Sequence, residues 1–217
     1  MYSLQGIGKS FGGIDVLTDI CLTLRPGQRL GITGANGVGK STLINIATGF
    51  LTPDSGHIHL NKKILTYRPA WAFAHAGIQR TFQTTRFLTT ANLGEQLLFA
   101  ARAPESKIRL TQLIKLSGLQ ASLHLFPDEI PLPVLRKAEV IRGLVVSPEV
   151  LFLDEPSAGL TVDELDQFGA FLQQQLGQKT ALVVVEHRLD FMAMITDSVV
   201  EMKLNRGLVK RVVDVKT

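Results

Sequence analysis

The segment GANGVGKST, residues 34–42, has the residue types and spacing of a phosphate-binding loop. It lies between a short apolar stretch and a segment with helical spacing, so its glycine amides and a helix N-terminus can converge on phosphate oxygens. The Lys40 ammonium can reach the β- and γ-phosphates, and the Ser41 hydroxyl can ligate Mg²⁺. A glycine-rich turn that binds nothing is the alternative, which this context disfavours. The loop residues predicted to bind a nucleotide are Gly34, Asn36, Gly37, Gly39, Lys40, Ser41 and Thr42.

Two adjacent carboxylates, Asp154 and Glu155, follow the apolar run of residues 150–153. Charge at the end of a buried strand is costly unless a cation, a donor or a reacting group offsets it. Beside a phosphate loop, Asp154 is predicted to associate with Mg²⁺ and Glu155 to polarise an attacking water; an ion network at the rim is the alternative. His187 follows another apolar run and could contact the γ-phosphate. An isolated histidine there is more often a surface or core residue.

Apolar periodicity predicts the elements that must position these groups. Strands are predicted at residues 16–24, 29–33, 57–65, 150–153 and 181–185, and helices at 41–49, 162–176 and 187–195. Residues 92–146 have helical spacing, interrupted by Pro127, Pro131 and Pro133. A hairpin turn at Asn205, Arg206 and Gly207 is predicted between strands 199–204 and 208–213. Apolar strands that alternate with helices predict a mostly parallel sheet covered on both faces.

The totals are those of one globular domain: 217 residues, a net charge of +4 and 45% apolar residues. The scattered basic residues favour a solvated surface over a nucleic-acid surface, and no nucleic-acid partner is expected. The single cysteine, Cys21, is expected in the core and excludes an internal disulfide framework. We see neither a signal peptide nor a membrane span, which predicts a cytoplasmic protein.

These motifs together resemble the ATP-binding subunit of an ABC transporter over essentially the whole chain. Phe11, in KSFGG, matches the aromatic residue that stacks on adenine in that family, although plain core filling is the alternative. Gln83, which ends GIQRTFQ, matches the glutamine that contacts Mg²⁺ and water, although a plain surface residue is the alternative. His187 matches the switch histidine, and SAGLT, residues 157–161, matches the loop after the catalytic glutamate. GIQRTFQ and VVVEHRLDFM most resemble subunits of branched-chain amino-acid and urea importers.

The resemblance implies an α/β fold: a P-loop NTPase core with a mostly parallel sheet, an antiparallel β subdomain and an inserted helical subdomain. A single ABC ATPase domain would span residues 1–217, with its core at 1–84 and 147–217 and the helical subdomain at 85–146. The implied activity is ATP hydrolysis that powers import of amino acids or similar small polar solutes. The chain would lie peripherally on the cytoplasmic face of the cell membrane, with permease subunits and a second ATPase subunit as partners.

The resemblance also assigns roles within the site, with ATP and Mg²⁺ as cofactors. Its implied catalytic residues are Glu155, His187 and Gln83. Its implied metal-binding residues are Ser41, Gln83 and Asp154.

One motif departs from the family pattern. The L-S-G-G-Q signature, whose serine and backbone clasp the γ-phosphate on the other subunit of a dimer, should fall at IPLPV, residues 130–134. Pro131 and Pro133 replace the serine and a glycine, which removes a hydroxyl and backbone N–H groups, although proline is compatible with a first helical turn. Two lost hydrogen bonds to a charged group cost about 3–6 kcal/mol, or roughly 10²- to 10⁴-fold in clasping.

This defect predicts a heterodimer rather than a homodimer, because in a homodimer both composite sites would carry it. Two functions remain open. The first is an ATP-hydrolysing motor subunit, and the second is a subunit that binds ATP as a structural or regulatory ligand. A third, an ABC ATPase that acts on DNA or ribosomes, has no support, because the chain carries neither a long coiled-coil arm nor paired cassettes.

Overall fold

The computed structural model describes residues 1–203 and the backbone of residues 207–209. This part of the chain forms two β-sheets. Its strands are β1 (Tyr2–Phe11), β2 (Ile14–Leu24), β3 (Arg29–Thr33), β4 (Ser55–Leu60), β5 (Lys63–Ile64), β6 (Ile78–Arg80), β7 (Val150–Asp154), β8 (Ala181–Val185), β9 (Ser198–Lys203) and β10 (Gly207–Val209). Its α-helices are α1 (Lys40–Ala47), α2 (Ala70–His75), α3 (Leu93–Ala100), α4 (Pro104–Ser117), α5 (Leu132–Leu144), α6 (Val162–Gln175) and α7 (Leu189–Ile195). Short 3-10 helices lie at Leu119–Ser122 and Pro127–Glu129.

The larger sheet has the strand order β10-β9-β3-β8-β7-β6 and is parallel from β9 to β6. The smaller sheet is antiparallel, with the order β2-β1-β4-β5. The predicted α/β class, with a mostly parallel sheet and a separate antiparallel one, is therefore confirmed. Helices α3, α4 and α5 all lie in the stretch between β6 and β7.

The larger sheet is buried on both faces, as its apolar strands predict. In β7, Leu151 and Leu153 pack in one hydrophobic cluster with helices α3 to α7, and Val150 and Phe152 pack in a second cluster with α1 and the smaller sheet. Because every β7 residue is buried, the strand is held firmly from both sides. The polar residues that follow it are thereby placed with little freedom.

Four parts of the predicted pattern were wrong or incomplete. The predicted strand 57–65 is a hairpin, because Asn61 adopts a left-handed φ of 54° and turns the chain between β4 and β5. Cys21 is exposed rather than buried, since the face of β2 that carries it points to solvent. Strand β1 went unrecognised, because register shifts between Leu4 and Ser10 break its alternation. Elements α2 and β6 were missed because they are short.

The remaining elements agree closely with the prediction. Strands β3 and β8 have the predicted bounds, and the predicted helices 41–49, 162–176 and 187–195 correspond to α1, α6 and α7. Strands β9 and β10 pair antiparallel, as predicted for a hairpin. Its predicted turn residues Asn205 and Arg206 lie outside the described residues, as does the end of the second predicted strand.

Candidate functional site

The phosphate-binding loop connects β3, which ends at Thr33, to α1, which begins at Lys40. A Cβ atom on Gly34 would lie 2.5 Å from the backbone oxygen of Met202, and Gly34 has a φ of 149°, so no larger residue fits there. Gly39 caps α1 with a left-handed φ of 103°. These glycines let the backbone turn sharply into the helix N-terminus, whose free N–H groups attract anions.

Lys40 is the first residue of α1, and its side chain folds back over the phosphate-binding loop that precedes it. Its Nζ donates hydrogen bonds to the backbone oxygens of Gly34, at 2.8 Å, and Ala35, at 2.9 Å. Burial lowers the pKa of Lys40, and the nearby carboxylates of Glu155 and Asp154 partly oppose that effect. The ammonium is therefore held beside the loop, where phosphate oxygens could replace the two carbonyl oxygens.

A cavity of about 610 Å³ lies against this loop. Its walls bring together ten of the twelve site residues predicted from the sequence, and Val16, which was not predicted, also lines it. The ten are Phe11, Asn36, Gly37, Gly39, Lys40, Ser41, Thr42, Gln83, Glu155 and His187. The Phe11 ring is 47% exposed and so is available to stack on a planar ligand rather than filling the core. Gly34 and the buried Asp154 are not part of the lining.

Glu155 is the acidic residue among those that line the cavity, and its carboxylate lies between Gln83 and His187. The Gln83 amide Nε2 donates to Glu155 Oε2 at 2.6 Å, and the His187 Nε2 lies 3.6 Å from Glu155 Oε1. Glu155 has a left-handed φ of 45°, a conformation that costs a non-glycine residue about 1–3 kcal/mol. Its N–H donates to the backbone oxygen of Val185 at 2.9 Å, which helps to retain that turn and aims the carboxylate at the cavity.

Two functional residues escaped the sequence analysis. Arg80 forms a buried ion pair with Asp154, from NH2 to Oδ2 at 2.7 Å. Glu186 is 3% exposed and accepts hydrogen bonds from the N–H groups of Ser157 and His187, so it connects the loop after Glu155 to the His187 turn. Glu186 could have been found, because it follows an all-apolar strand as Asp154 does. Arg80 gives no comparable signal, because its segment, GIQRTFQ, mixes apolar and polar residues.

The donors in and beside the cavity suit Mg²⁺, which prefers oxygen ligands and keeps several of them from water or phosphate. Ser41 and Gln83 line the cavity, and the hydrogen bonds of the described residues include none to Asp154 Oδ1. Among those same residues, histidine, cysteine and carboxylate side chains form no cluster of three that could hold a metal. The arrangement therefore fits a cation that binds together with a phosphorylated ligand rather than a cage made by the protein alone.

The segment at residues 130–134 begins helix α5 despite its two prolines. Pro131 is the N-cap and Pro133 lies in the first turn, where a missing N–H does not disrupt the helix. The Val134 N–H is used internally, donating to the Pro131 oxygen at 3.0 Å. Within 131–134, this leaves only the Leu132 N–H able to bind an anion. Helix α5 therefore forms, but its first turn has fewer free N–H groups for an anion than a first turn without proline would have.

No helix in the part of the chain that the structure describes combines the length and the hydrophobicity needed to span a bilayer. The family model for ABC transporters matches residues 17–158, more than half of the chain. The chain is 32% identical to the ribose import ATP-binding protein RbsA 1 of Rhizobium meliloti over 205 residues, which cover 90% of this chain and 41% of the relative. It is 28% identical over 222 residues to LivG of Salmonella typhimurium, a high-affinity branched-chain amino acid transport ATP-binding protein, covering 92% of this chain and 86% of LivG.

Solved structures agree with the fold. The ADP conformation of MJ1267, an ATP-binding cassette of an ABC transporter, superposes with a TM-score of 0.86 at 25% identity, covering all of this chain and 93% of that one. The chain spans only 39–42% of the length of the ribose import relatives that it matches. The predicted ABC-type ATPase class is confirmed at the level of the family. With the matched family model, the phosphate loop and the fold in agreement, the chain belongs to the ABC transporter family.

Proposed function

We propose that this chain is the ATP-binding and ATP-hydrolysing subunit of an ABC importer. The observation that carries the proposal is the position of Glu155, which projects into the phosphate-loop cavity between Gln83 and His187. A carboxylate there can accept a proton from a water that attacks the γ-phosphate. Gln83 and His187 orient that carboxylate, so a single group is aimed at the reacting position.

The remaining residues of the cavity supply binding and charge stabilisation. The loop amides and Lys40 would hold the β- and γ-phosphates, and Phe11 would stack on the base. Mg²⁺, when bound with the nucleotide through Ser41, Gln83 and Asp154, would neutralise phosphate charge. Positioning and electrostatics account for most catalysis of phosphoryl transfer, which is why the residues need little covalent chemistry of their own.

We further propose a second, different ATPase subunit as the partner in the dimer. Within the described residues, the start of α5 offers one N–H where a working signature needs several donors, so the composite site that this chain completes should be weak. The site built on this chain's own Lys40 and Glu155 has no such defect if the partner supplies an intact signature. A heterodimer therefore retains one effective site, whereas a homodimer would have none.

The membrane partner has a candidate surface on the helical side of the chain. A groove of about 670 Å³ with a largely apolar surface is lined by Leu88, Ala91, Phe99 and Ala100, together with Arg86, Glu95, Gln96 and Arg142. Leu88 is 67% exposed and Phe99 69%. We propose that permease subunits dock here and place the chain on the cytoplasmic face of the membrane. Because RbsA 1 is a ribose import ATP-binding protein and LivG a branched-chain amino acid transport ATP-binding protein, the cargo proposed is a small polar solute such as an amino acid.

The weak signature also supports the second candidate, an ATP-binding subunit that scarcely hydrolyses ATP and acts as a structural or regulatory component. Both candidates use the same cavity. They differ in whether the turnover of the assembled transporter depends on Glu155.

The variant Glu155→Gln separates the two. In the complex co-purified with its membrane and ATPase partners, the motor function predicts that ATP hydrolysis falls at least about 100-fold, since general base catalysis contributes roughly 10²–10⁴-fold. ATP binding should persist, because Gln keeps the size and one oxygen of the side chain. Glu149→Gln, on the exposed residue that precedes β7 at its opposite end, is the matched control and should leave both quantities unchanged. Unchanged hydrolysis in Glu155→Gln would favour the structural subunit.

A further inference from the structure

Arg80 is a buried cation that joins three parts of the nucleotide site. Its NH2 group donates to Asp154 Oδ2 on β7 at 2.7 Å. Its NH1 group donates to Asn45 Oδ1 on α1 at 2.6 Å and to Thr48 Oγ1, at the end of the same helix, at 3.3 Å. The Arg80 side chain is 8% exposed and that of Asp154 is 9% exposed. A single guanidinium therefore connects the strand that carries the acidic pair to the helix that follows the phosphate loop.

Aromatic rings restrict the guanidinium further. Its central carbon lies 4.8 Å from the centroid of the Phe82 ring and 5.5 Å from that of Phe50, and these two rings meet edge to face at 5.4 Å. Phe82 immediately precedes Gln83, which donates to Glu155. Arg80 is thus also in contact with the segment that brings Gln83 into the cavity. Planar stacking and bidentate donation are properties of arginine that lysine does not share.

Asp154 is the group that this arrangement controls. Arg80 donates to one of its carboxylate oxygens, Oδ2, and the hydrogen bonds of the described residues include none to Oδ1. Asp154 also lies next to Glu155, and a nucleoside triphosphate would add several negative charges to the same site. A buried cation paired with Asp154 Oδ2 offsets this repulsion and orients the carboxylate at the same time.

We propose that Arg80 is a positioning residue that orients Asp154 so that the nucleotide binds together with its Mg²⁺. This inference rests on the proposed function, since it concerns the same cavity. Arg80 is not among the residues that line the cavity. By this proposal it does not contact the nucleotide and acts only through Asp154. Removing a hydrogen-bond partner of a metal-binding carboxylate typically reduces metal affinity by about 10- to 100-fold.

The test measures ATP affinity of the full chain by calorimetry twice, once in EDTA and once with excess Mg²⁺. The ratio of the two affinities is the gain due to Mg²⁺. In Arg80→Lys, which keeps the positive charge, we expect affinity in EDTA to stay within about twofold of the wild type and the Mg²⁺ gain to fall by roughly 10- to 100-fold. Arg80→Met, which also removes the charge, should reduce the Mg²⁺ gain at least as much and should lower the affinity in EDTA as well. A residue with a purely structural role would instead lower both affinities in parallel, or neither, and either result overturns the proposal.

Two further variants keep the test decisive. Asn45→Ala removes one anchor of Arg80 without touching Asp154, and it should reduce the Mg²⁺ gain about threefold even if the Arg80 variants fail to fold. An unchanged gain in folded Asn45→Ala protein counts against the proposal. Arg109→Lys alters another partly buried arginine, which donates to the Leu144 oxygen at 2.8 Å outside the cavity, and should change neither affinity. A wild-type chain that binds no ATP at all would refute the proposed function itself rather than the role of Arg80.

Discussion

Single residues in this site carry charge where the fold makes charge expensive. Asp154, Glu155 and Glu186 each stand at or directly after the end of an all-buried strand. Each is offset by its own donor: Arg80 for Asp154, Gln83 for Glu155, and backbone N–H groups for Glu186. Since a buried polar or charged group without a partner is strongly destabilising, these pairings stabilise the carboxylates in fixed orientations. Lys40 is the cation that lines the cavity near these carboxylates.

The variant Lys40→Ala tests that cation. It removes the ammonium that would bind the β- and γ-phosphates, and a hydrogen bond to a charged group contributes about 1.5–3 kcal/mol. We therefore expect ATP affinity to fall by roughly 10- to 150-fold, with little loss of folding stability because Lys40 bonds only to its own loop. Lys107→Ala, on the exposed side of α4, is the control. ATP affinity and turnover that survive Lys40→Ala in the assembled complex would disprove the nucleotide site.

At the scale of elements, helix α5 holds the loop that carries Gln83. Arg136 donates to the backbone oxygens of Phe82, at 3.0 Å, and Gln83, at 2.5 Å, and Glu139 accepts from the Phe82 N–H at 3.2 Å. Arg142 donates to the Arg86 oxygen at 2.6 Å. Burial raises the pKa of Glu139, and its hydrogen bond and the two arginines oppose that rise. Three side chains of this one helix therefore hold the backbone of residues 82–86 in place.

Because of these contacts, Arg136→Ala should loosen the Gln83 loop and leave Arg142, 3.7 Å away, as the remaining close cation of the buried Glu139. We expect the free energy of unfolding to fall by about 3 kcal/mol or more, since the variant loses two hydrogen bonds from a charged donor, each contributing roughly 1.5–3 kcal/mol. Urea denaturation followed by circular dichroism measures this change. Lys137→Ala, the next residue on the same helix, removes a partly exposed charge and should change stability by less than about 0.5 kcal/mol. Equal effects of the two variants would show that the contacts of Arg136 contribute nothing specific to stability.

At the scale of the whole molecule, the site depends on segments that are far apart in the chain. Phe11 comes from the antiparallel sheet, Lys40 from α1, Gln83 from the segment after β6, and Glu155 and His187 from the ends of β7 and β8. The two hydrophobic clusters on either face of the larger sheet hold these segments together. The proline-containing start of α5 belongs to the same molecule but, by our proposal, serves the partner's site.

The double variant Pro131→Ser, Pro133→Gly tests this division of labour. It restores a hydroxyl and two backbone N–H groups at the start of α5, and we expect the ATPase rate of the assembled complex to rise as a second composite site becomes active. In Pro131→Ala, Pro133→Ala, which restores the N–H groups without the hydroxyl, the rise should be smaller. If the ATPase rate of the complex is the same in both double variants as in the wild type, the result would argue against an asymmetric dimer. Each change should leave α5 intact, because the helix does not depend on proline at these positions.

Local sequence patterns were sufficient to predict an element or a site residue wherever the pattern lay within a single segment of the chain. The phosphate loop, the acidic pair and the all-apolar strands β3 and β8 were predicted at the positions observed, because glycine spacing and continuous hydrophobicity are properties of the segment itself. Prediction failed where a neighbour decided the outcome. Strand β1 is recognisable only through its pairing with β2 and β4, since its own alternation is broken.

The sequence by itself determined the family, the α/β class and the identity of the groups that face the cavity. Only the tertiary structure decided which of their partners hold them: Arg80 on Asp154 and Arg136 on the Gln83 loop. It also decided that Cys21 lies on an exposed face. The physical reason is that hydrophobic periodicity and loop glycines act between near neighbours in the chain. The balance of buried charge is instead set by residues 50 to 75 positions apart, which meet only once the sheet and its helices have packed.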